Sequence, residues 1–262
     1  MKLSKRASGV RATAGPLWSA TQRALALLLL CGALPLLAVL WIVVRATSRG
    51  PFLYWQLRPG LYGRPFRVCK IRTMTVGADR NRANGLGVTR ENPDVTSAGR
   101  WLRASKLDEL PQLWNVVRGE MDFVGPRPIA DSLVELLSRE IPGFEARFRA
   151  KPGLTSVGQI SIVENRVGHE VVDDWRRRHE AELHHLAHRS AAYDLVVIFL
   201  TVAYLVRRFC NEFGARLLRR TSEGEGSTGA AFEAVGLQLA IDGRSRDAEQ
   251  AGGLARGAVA DP

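Results

Sequence analysis

Ala24 to Val44 is a run of 21 residues without a charge, bounded by Arg23 and Arg45. About 20 apolar residues suffice to cross the hydrocarbon core of a bilayer as a helix, so membrane contact is the default expectation. Two details argue against a simple crossing. Gly32 and Pro35 interrupt the run, and both flanks are basic: Lys2, Lys5, Arg6, Arg11 and Arg23 precede it, and Arg45, Arg49, Arg58 and Arg64 follow. Lys/Arg-rich flanks stay on the cytoplasmic side, so this near tie gives a spanning helix no orientation, whereas a bent, re-entrant helix keeps both flanks inside. Proline supports the bend by removing a backbone donor and clashing with the preceding turn, which predicts a kink near Leu34 that splits the run into two arms. A re-entrant helix over 23–46, kinked at Pro35, is therefore preferred to a spanning helix. It is also preferred to a signal peptide, because no small-x-small cleavage site followed by a neutral mature start is present.

The charge around this segment narrows the partners. The 262 residues carry 37 Lys and Arg against 26 Asp and Glu, a formal net charge of +11. Residues 222–262 hold seven acids and three arginines, a net of −4, which leaves +15 on residues 1–221. A field of that sign concentrates anions: nucleic acid, phospholipid head groups or a phosphorylated small substrate. Three scattered cysteines, Cys31, Cys69 and Cys210, are too few for a disulfide framework and fit a reducing, cytosol-facing location.

Residues 1–22 read as a basic tail lying on anionic lipid, and 221–262, with eight glycines in the last 41 residues, as a disordered tail. Residues 47–220 form the predicted folded domain. Turn residues around Pro59-Gly60 and Gly63-Arg64-Pro65, followed by alternation over Phe66–Arg72, predict a small β-hairpin. Residues 75–99 are polar and Gly/Asn-rich, a mobile loop over or beside a site. Arg100–Val117 has helical spacing broken at Pro111, giving two helical pieces or one kinked helix. Ile129–Phe148 and Glu170–Ser190 read as helices, and Tyr193–Val206 as a helix lying in the membrane interface or packed on the domain. The fold class is α+β, mostly helical: a compact catalytic domain with a small hairpin, a re-entrant membrane helix and amphipathic interfacial helices.

Several side chains in this frame could carry chemistry. Lys70 and Arg72 sit at i and i+2 on the predicted strand, so their cationic ends leave one face and could converge on a diphosphate; a solvated strand edge is the alternative. Asp108 and Glu109 are adjacent acids near Arg100, Arg103 and Lys106. Ser105 and Asp108 have the spacing of a capping box, a purely structural explanation. The functional alternative is a carboxylate kept ionised by nearby cations, able to attack phosphorus, beside a Glu that holds a divalent cation. In Gly125-Pro126-Arg127-Pro128 two prolines hold the backbone around an arginine with bidentate reach to phosphate or carboxylate, where a surface turn is the bland alternative. All five histidines fall between His169 and His188; His179 and His184 miss the H-E-x-x-H spacing by one residue, so the expectation is a solvated polar face.

The segments Lys70-Ile71-Arg72-Thr73-Met74, Gly99-Arg100-Trp101-Leu102-Arg103, Leu107-Asp108-Glu109-Leu110-Pro111-Gln112-Leu113-Trp114-Asn115, Gly125-Pro126-Arg127-Pro128 and Lys151-Pro152-Gly153-Leu154-Thr155 together resemble the bacterial sugar transferase family. Its members are monotopic polyprenyl-phosphate phosphoglycosyltransferases. The resemblance covers roughly residues 20–210 and resembles the compact catalytic form rather than larger relatives with extra N-terminal membrane helices. It implies transfer of a sugar 1-phosphate from a UDP-sugar to undecaprenyl or another polyprenyl phosphate, with UMP released. Such a step initiates exopolysaccharide, capsule, O-antigen or glycoprotein glycan synthesis. The resemblance further implies Asp108 as nucleophile, Glu109 as a ligand of Mg²⁺, and Lys70, Arg72, Arg100, Arg103, Arg127 and Gln159 as substrate-binding residues. It places the protein at the cytoplasmic face of the bacterial inner membrane, with the bilayer, both substrates and downstream glycosyltransferases as partners and no nucleic acid, and leaves a homodimer open.

The chain departs from the family pattern at Leu34-Pro35, Ile71, Asp122 and Ser156, and Asp122 adds a negative charge that could alter metal or sugar binding. The competing expectation is a non-catalytic, basic membrane module that binds an anionic partner; its binding would weaken steeply with salt. A family member turned regulatory partner is a third, and the intact Asp108 and Glu109 argue against it. The transferred sugar is not legible, and the loop from Thr75 to Gly99 is where selectivity is expected.

Overall fold

The computed structural model describes residues 15–78, 92–161 and 170–218. Most of the predicted basic tail, most of the 75–99 loop and the predicted tail from 221 lie outside the described residues. Among those described, the chain is mostly helical, with two small two-stranded sheets and one long N-terminal apolar helix.

That helix, α1, runs from Pro16 to Thr47, starting well before the uncharged run. Pro16 suits a helix start because its missing N–H would have no partner there. The next polar residues find partners within the protein, not in water: Trp18 Nε1 donates to Asp194 Oδ2 at 2.9 Å, Gln22 Oε1 accepts the Phe123 N–H at 2.8 Å, and Arg23 Nε donates to the Val117 carbonyl at 2.8 Å. Pro35 lies inside this helix. Along α1, Ala26, Leu40 and Val44 are buried, whereas Leu28, Leu34, Val39, Trp41 and Ile42 are exposed.

The predicted hairpin is present. Strands β1 (Leu53–Pro59) and β2 (Pro65–Ile71) pair antiparallel, with Tyr54 opposite Lys70. Phe66 and Val68 enter the main core with Ala26, Leu113, Val116, Met121, Phe123, Val124 and Val197. Asn115 ties the helical layer to β2: its Oδ1 accepts the Cys69 N–H at 3.0 Å and its Nδ2 donates to the Arg67 carbonyl at 2.7 Å. A buried amide side chain thereby satisfies strand groups that a third strand would otherwise have to meet.

Arg100–Val117 resolves into three pieces: α2 (Ser97–Ser105), a 3-10 segment over Leu107–Gln112 and α3 (Leu113–Val117). Thr96 caps α2, its Oγ1 accepting the Gly99 N–H at 2.9 Å. Strand β3 (Asp122–Val124) pairs in parallel with β4 (Gly153–Thr155). The approach there is so close that a Cβ on Gly125 would strike the Lys151 carbonyl and one on Gly153 the backbone of Gly125; only glycine fits at either place. The helix expected over Ile129–Phe148 is instead α4 (Asp131–Glu140) followed by a 3-10 segment over Phe144–Arg149. Pro142 and Gly143, the latter at φ 75°, break it between them. Helices α5 (Val157–Ser161), α6 (Glu170–Ala187) and α7 (Ala191–Leu218) complete the chain. One compact unit ends at Glu212 and a second begins at Phe213.

Two histidines on α6 depart from the solvated face expected of them. His179 and His185 are buried, and His185 Nε2 lies 2.9 Å from Asp194 Oδ1. Asp194 belongs to a charge network closed to solvent: Arg189 Nη2 donates to Asp122 Oδ2 at 2.8 Å, to the Val124 carbonyl at 2.9 Å and to Asp194 Oδ2 at 3.4 Å, while Lys151 Nζ stands 3.6 Å from Asp122 Oδ1. Asp122, expected to add charge near metal or sugar, is thus neutralised within the core. Removing one member of such a network strands the others without compensation. Arg189→Met is expected to lower unfolding free energy by roughly 3–5 kcal/mol, read by chemical denaturation in detergent, and a loss below about 1 kcal/mol would show that the network contributes little.

Candidate active site

The Asp-Glu pair is presented by the 3-10 segment between α2 and α3. Leu107 packs with Leu102, Ile71, Leu40 and Val44, and Leu110 packs against the main core. With both leucines anchored, the residues between them turn toward β2 and the Gly125–Pro128 turn. Lys106 joins α2 to this segment in the left-handed region, φ 59° and ψ 13°. A β-carbon there costs on the order of 1 kcal/mol relative to glycine. The capping box is not formed: Ser105 Oγ donates backward to the Trp101 and Leu102 carbonyls at 2.9 and 3.2 Å, and Ser105 ends a helix.

Glu109 is held by two cations on one oxygen. Lys70 Nζ from β2 lies 3.3 Å from Oε1, and Arg127 Nη2 lies 2.9 Å from the same atom. Burial alone would push the Glu109 carboxyl up, but the charges of Arg127, Lys70 and Lys106 outweigh it and hold Glu109 well below the usual carboxylate range. Burial lowers Lys70, against the opposing pull of Glu109. Asp108 has the reverse balance: burial first, then the neighbouring Glu109 charge, raise it to about 6, against Lys70, Lys106 and Arg103. Its Oδ1 is buried and has no hydrogen-bond partner among the described residues. A buried oxygen left unsatisfied in a folded protein is a site where a ligand can complete the bonding.

The structure thus brings together Lys70, Asp108, Glu109 and Arg127, with Arg103 and Lys106 near enough for their charges to act on Asp108. Arg103 Nε also donates to Thr73 Oγ1 at 2.9 Å. Arg72 does not join Lys70 on a common anion. Its buried guanidinium donates to the Pro51 and Ser48 carbonyls at 2.6 and 2.9 Å and to Ser48 Oγ at 2.7 Å, clamping the chain that leaves α1. The strand ends at Ile71, so Arg72 belongs to the loop that follows, which the i, i+2 spacing could not show. Arg100 is exposed and bonds to Val95 and Ser97 beside its own helix start. Gln159 makes its hydrogen bond to Ser156 through its backbone N–H, and its buried Oε1 has no partner among the described residues.

Among the described residues no group of three or more His, Cys, Asp or Glu side chains forms a metal cage. Two adjacent carboxylates, one with an unsatisfied oxygen, nevertheless suit a magnesium ion completed by substrate phosphates, since Mg²⁺ is commonly held by one or two carboxylates plus phosphate oxygens.

Sequence reasoning passed over Asn115, Arg147 and Glu182. Arg127 is fixed from behind by the latter two: its N–H donates to Glu182 Oε1 at 3.1 Å, and its carbonyl accepts from Arg147 Nη2 at 2.9 Å. Glu182 lies in a stretch of α6 so rich in charge that its pattern resembled a solvated face, and no local signal marked it as buried.

A family profile described as "Bacterial sugar transferase" matches residues 17–208. A "UDP-glucose:undecaprenyl-phosphate glucose-1-phosphate transferase" of Caulobacter vibrioides is 40% identical over 175 residues, 66% of this chain and 63% of that protein. A protein of the same name from Escherichia coli is 35% identical, covering 68% of this chain and 38% of its own length. A "UDP-N-acetylgalactosamine-undecaprenyl-phosphate N-acetylgalactosaminephosphotransferase" of Aeromonas hydrophila is 30% identical, covering 77% and 46%. The chain therefore spans between about two fifths and just under two thirds of the length of these three relatives.

Because Asp108 titrates near 6 in the folded protein against 3.8 when unperturbed, its effect on stability has a definite sign. The folded state holds the proton more tightly, so the favourable contribution is present below pH 3.8 and is lost as pH rises through about 6. Asp108→Asn is expected to raise unfolding free energy by up to about 3 kcal/mol at pH 8. The gain should shrink steadily on titrating toward pH 5, and an equal gain at both pH values would contradict the assignment.

Proposed function

Because the chain belongs to the bacterial sugar transferase family, we propose that it moves a sugar 1-phosphate from a UDP-sugar to a polyprenyl phosphate such as undecaprenyl phosphate, releasing UMP. The observation that carries the proposal is the buried Asp108 with an unsatisfied oxygen, beside a Glu109 held anionic by Lys70 and Arg127. The relatives' names agree on the acceptor and differ on the sugar, glucose in two and N-acetylgalactosamine in a third.

In the proposed first step a carboxylate oxygen of ionised Asp108 attacks the phosphorus bonded to the sugar. The bond from that phosphorus to the bridging oxygen breaks, and UMP leaves with the electron pair. In the second, a phosphate oxygen of the polyprenyl phosphate attacks the same phosphorus. The bond to Asp108 breaks, the carboxylate is restored and the lipid diphosphosugar is formed. Splitting the transfer this way predicts ping-pong kinetics. Lys70 and Arg127 orient Glu109, and Arg103 and Lys106 add positive charge where the diphosphate would enter. Glu109 would hold Mg²⁺, which when bound neutralises phosphate oxygens as a Lewis acid.

We further propose that α1 anchors the protein at the cytoplasmic face of the inner membrane as a re-entrant element. Its 32 residues amount to about 48 Å of helix, more than a bilayer core needs. What supports re-entry is that both ends pack on the same folded unit. Gln22, Arg23 and Ala26 meet β3, the end of α3 and the main core, and Leu40 and Val44 meet Ile71 and Leu102. A helix that crossed would carry one end away. The exposed Leu195, Val196, Phe199 and Leu200 of α7 suit the interface. An enzyme so held meets a soluble dianion and a lipid phosphate at one basic surface, and downstream glycosyltransferases would extend its product.

The test is UMP release from a panel of UDP-sugars with undecaprenyl phosphate, Mg²⁺ and detergent-solubilised protein. Wild type is expected to release UMP in a lipid-dependent manner with at least one sugar, and Asp108→Asn to lose at least about a thousandfold in kcat. Full activity in Asp108→Asn would sink the nucleophile assignment.

A further inference from the structure

We propose that Glu182 and Arg147 are positioning residues that aim the Arg127 guanidinium at Glu109, an inference that rests on the phosphosugar-transfer reading above. Arg127 stands between Pro126 and Pro128, so φ is restricted on either side and its own N–H and carbonyl are the groups by which the turn can be gripped. Both are gripped by one buried ion pair. Glu182 Oε1 accepts the N–H at 3.1 Å, Arg147 Nη2 donates to the carbonyl at 2.9 Å, and the same Nη2 lies 3.0 Å from Glu182 Oε2.

The pair is closed to solvent, the two side chains being 1% and 2% exposed. Arg147 is also wedged between rings, its guanidinium carbon 4.7 Å from the Phe144 centroid and 5.3 Å from that of Trp175. Neither charge can rotate away from the peptide it holds. The Pro126 carbonyl is tied separately, accepting the Gly153 N–H at 3.0 Å. From this three-point seat the Arg127 side chain reaches Glu109 Oε1 at 2.9 Å.

Burying an arginine and a glutamate is repaid only by good geometry and further hydrogen bonds, and apolar residues of similar volume often serve stability as well or better, so the value of this pair lies in what it points at. Direction matters here because the pair grips both the N–H and the carbonyl of a single residue whose side chain touches the Asp-Glu segment. A displacement of about 1 Å at a reacting centre lowers turnover by about a hundredfold. Helix α6, which contributes Glu182, thus serves the site without reaching it.

The experiment is a double-mutant cycle in UMP release at saturating substrates. Glu182→Asp keeps the charge against Arg147 but withdraws the acceptor from the Arg127 N–H by one methylene. It is expected to lower kcat about tenfold or more in the wild-type background and by less than about twofold in Arg127→Ala, with the melting temperature of each variant measured alongside. The same fractional loss in both backgrounds, or no loss in either, overturns the inference, because a merely structural pair would weaken both enzymes alike. Should Arg127→Ala turn over too slowly to read, Arg127→Lys takes its place. If Glu182→Asp does not fold, the joint change Glu182→Leu and Arg147→Met removes both charges and both groups that grip Arg127 while filling similar volume, and is expected to show the same dependence on background. Absence of UMP release from the wild type with every sugar overturns the transfer reading and this inference with it; additive losses in an active enzyme overturn this inference alone.

Discussion

Two adjacent carboxylates in a buried site repel each other, and one keeps its charge only where cations lie against it. Lys70 and Arg127 supply them at 3.3 and 2.9 Å from the same oxygen of Glu109. They lie 39 and 18 residues from it along the chain, on a hairpin strand and on a proline-flanked turn. Most of the remaining architecture can be understood as the means of holding these three pieces together. With Glu109 kept anionic, the proton that the pair takes up goes to Asp108, whose carboxyl is raised to about 6 and is therefore ionised above that pH. The same arrangement leaves Asp108 an unsatisfied oxygen, costly to the fold and useful to chemistry.

Each piece has its own backing. Asn115 fixes β2 beside Lys70 through two backbone contacts. Arg72, just past the end of the strand, clamps the loop leaving α1. The turn bearing Arg127 lies so close to the Lys151–Gly153 turn that glycine is required on both sides. Behind β3, Arg189 binds Asp122 and Asp194 in a core that also receives Trp18 from the start of α1. A protein that buries this many charges must pair nearly all of them.

The apolar surface follows from the same arrangement. Helix α1 commits Gln22, Arg23 and Ala26 at one end and Leu40 and Val44 at the other to the folded unit, leaving much of its middle without protein contacts. Such a surface is unfavourable in water and favourable against lipid.

The membrane-seeking helix, the hairpin, the Asp-Glu pair and the Pro-Arg-Pro turn were legible in the sequence, because each depends on local covalent preferences or on the period of apolar residues. The start of α1 at Pro16, the break of the expected 129–148 helix and the burial of His179 and His185 were not, since each is decided by partners distant in the chain. The contrast is sharpest for the charges. Spacing along the predicted strand suggested that Lys70 and Arg72 act together, and the spacing of Ser105 and Asp108 suggested a cap. In the folded protein Arg72 turns to a loop, Ser105 turns back into its helix, and Glu182 reaches Arg127 from a helix that had resembled a solvent face. Sequence alone therefore determined which chemical groups are available and which segments seek lipid, since those are properties of residues and of local periodicity. Tertiary structure alone decided which cation meets which carboxylate, because the energy of a charge depends on its distance to other charges and to water, and folding sets both.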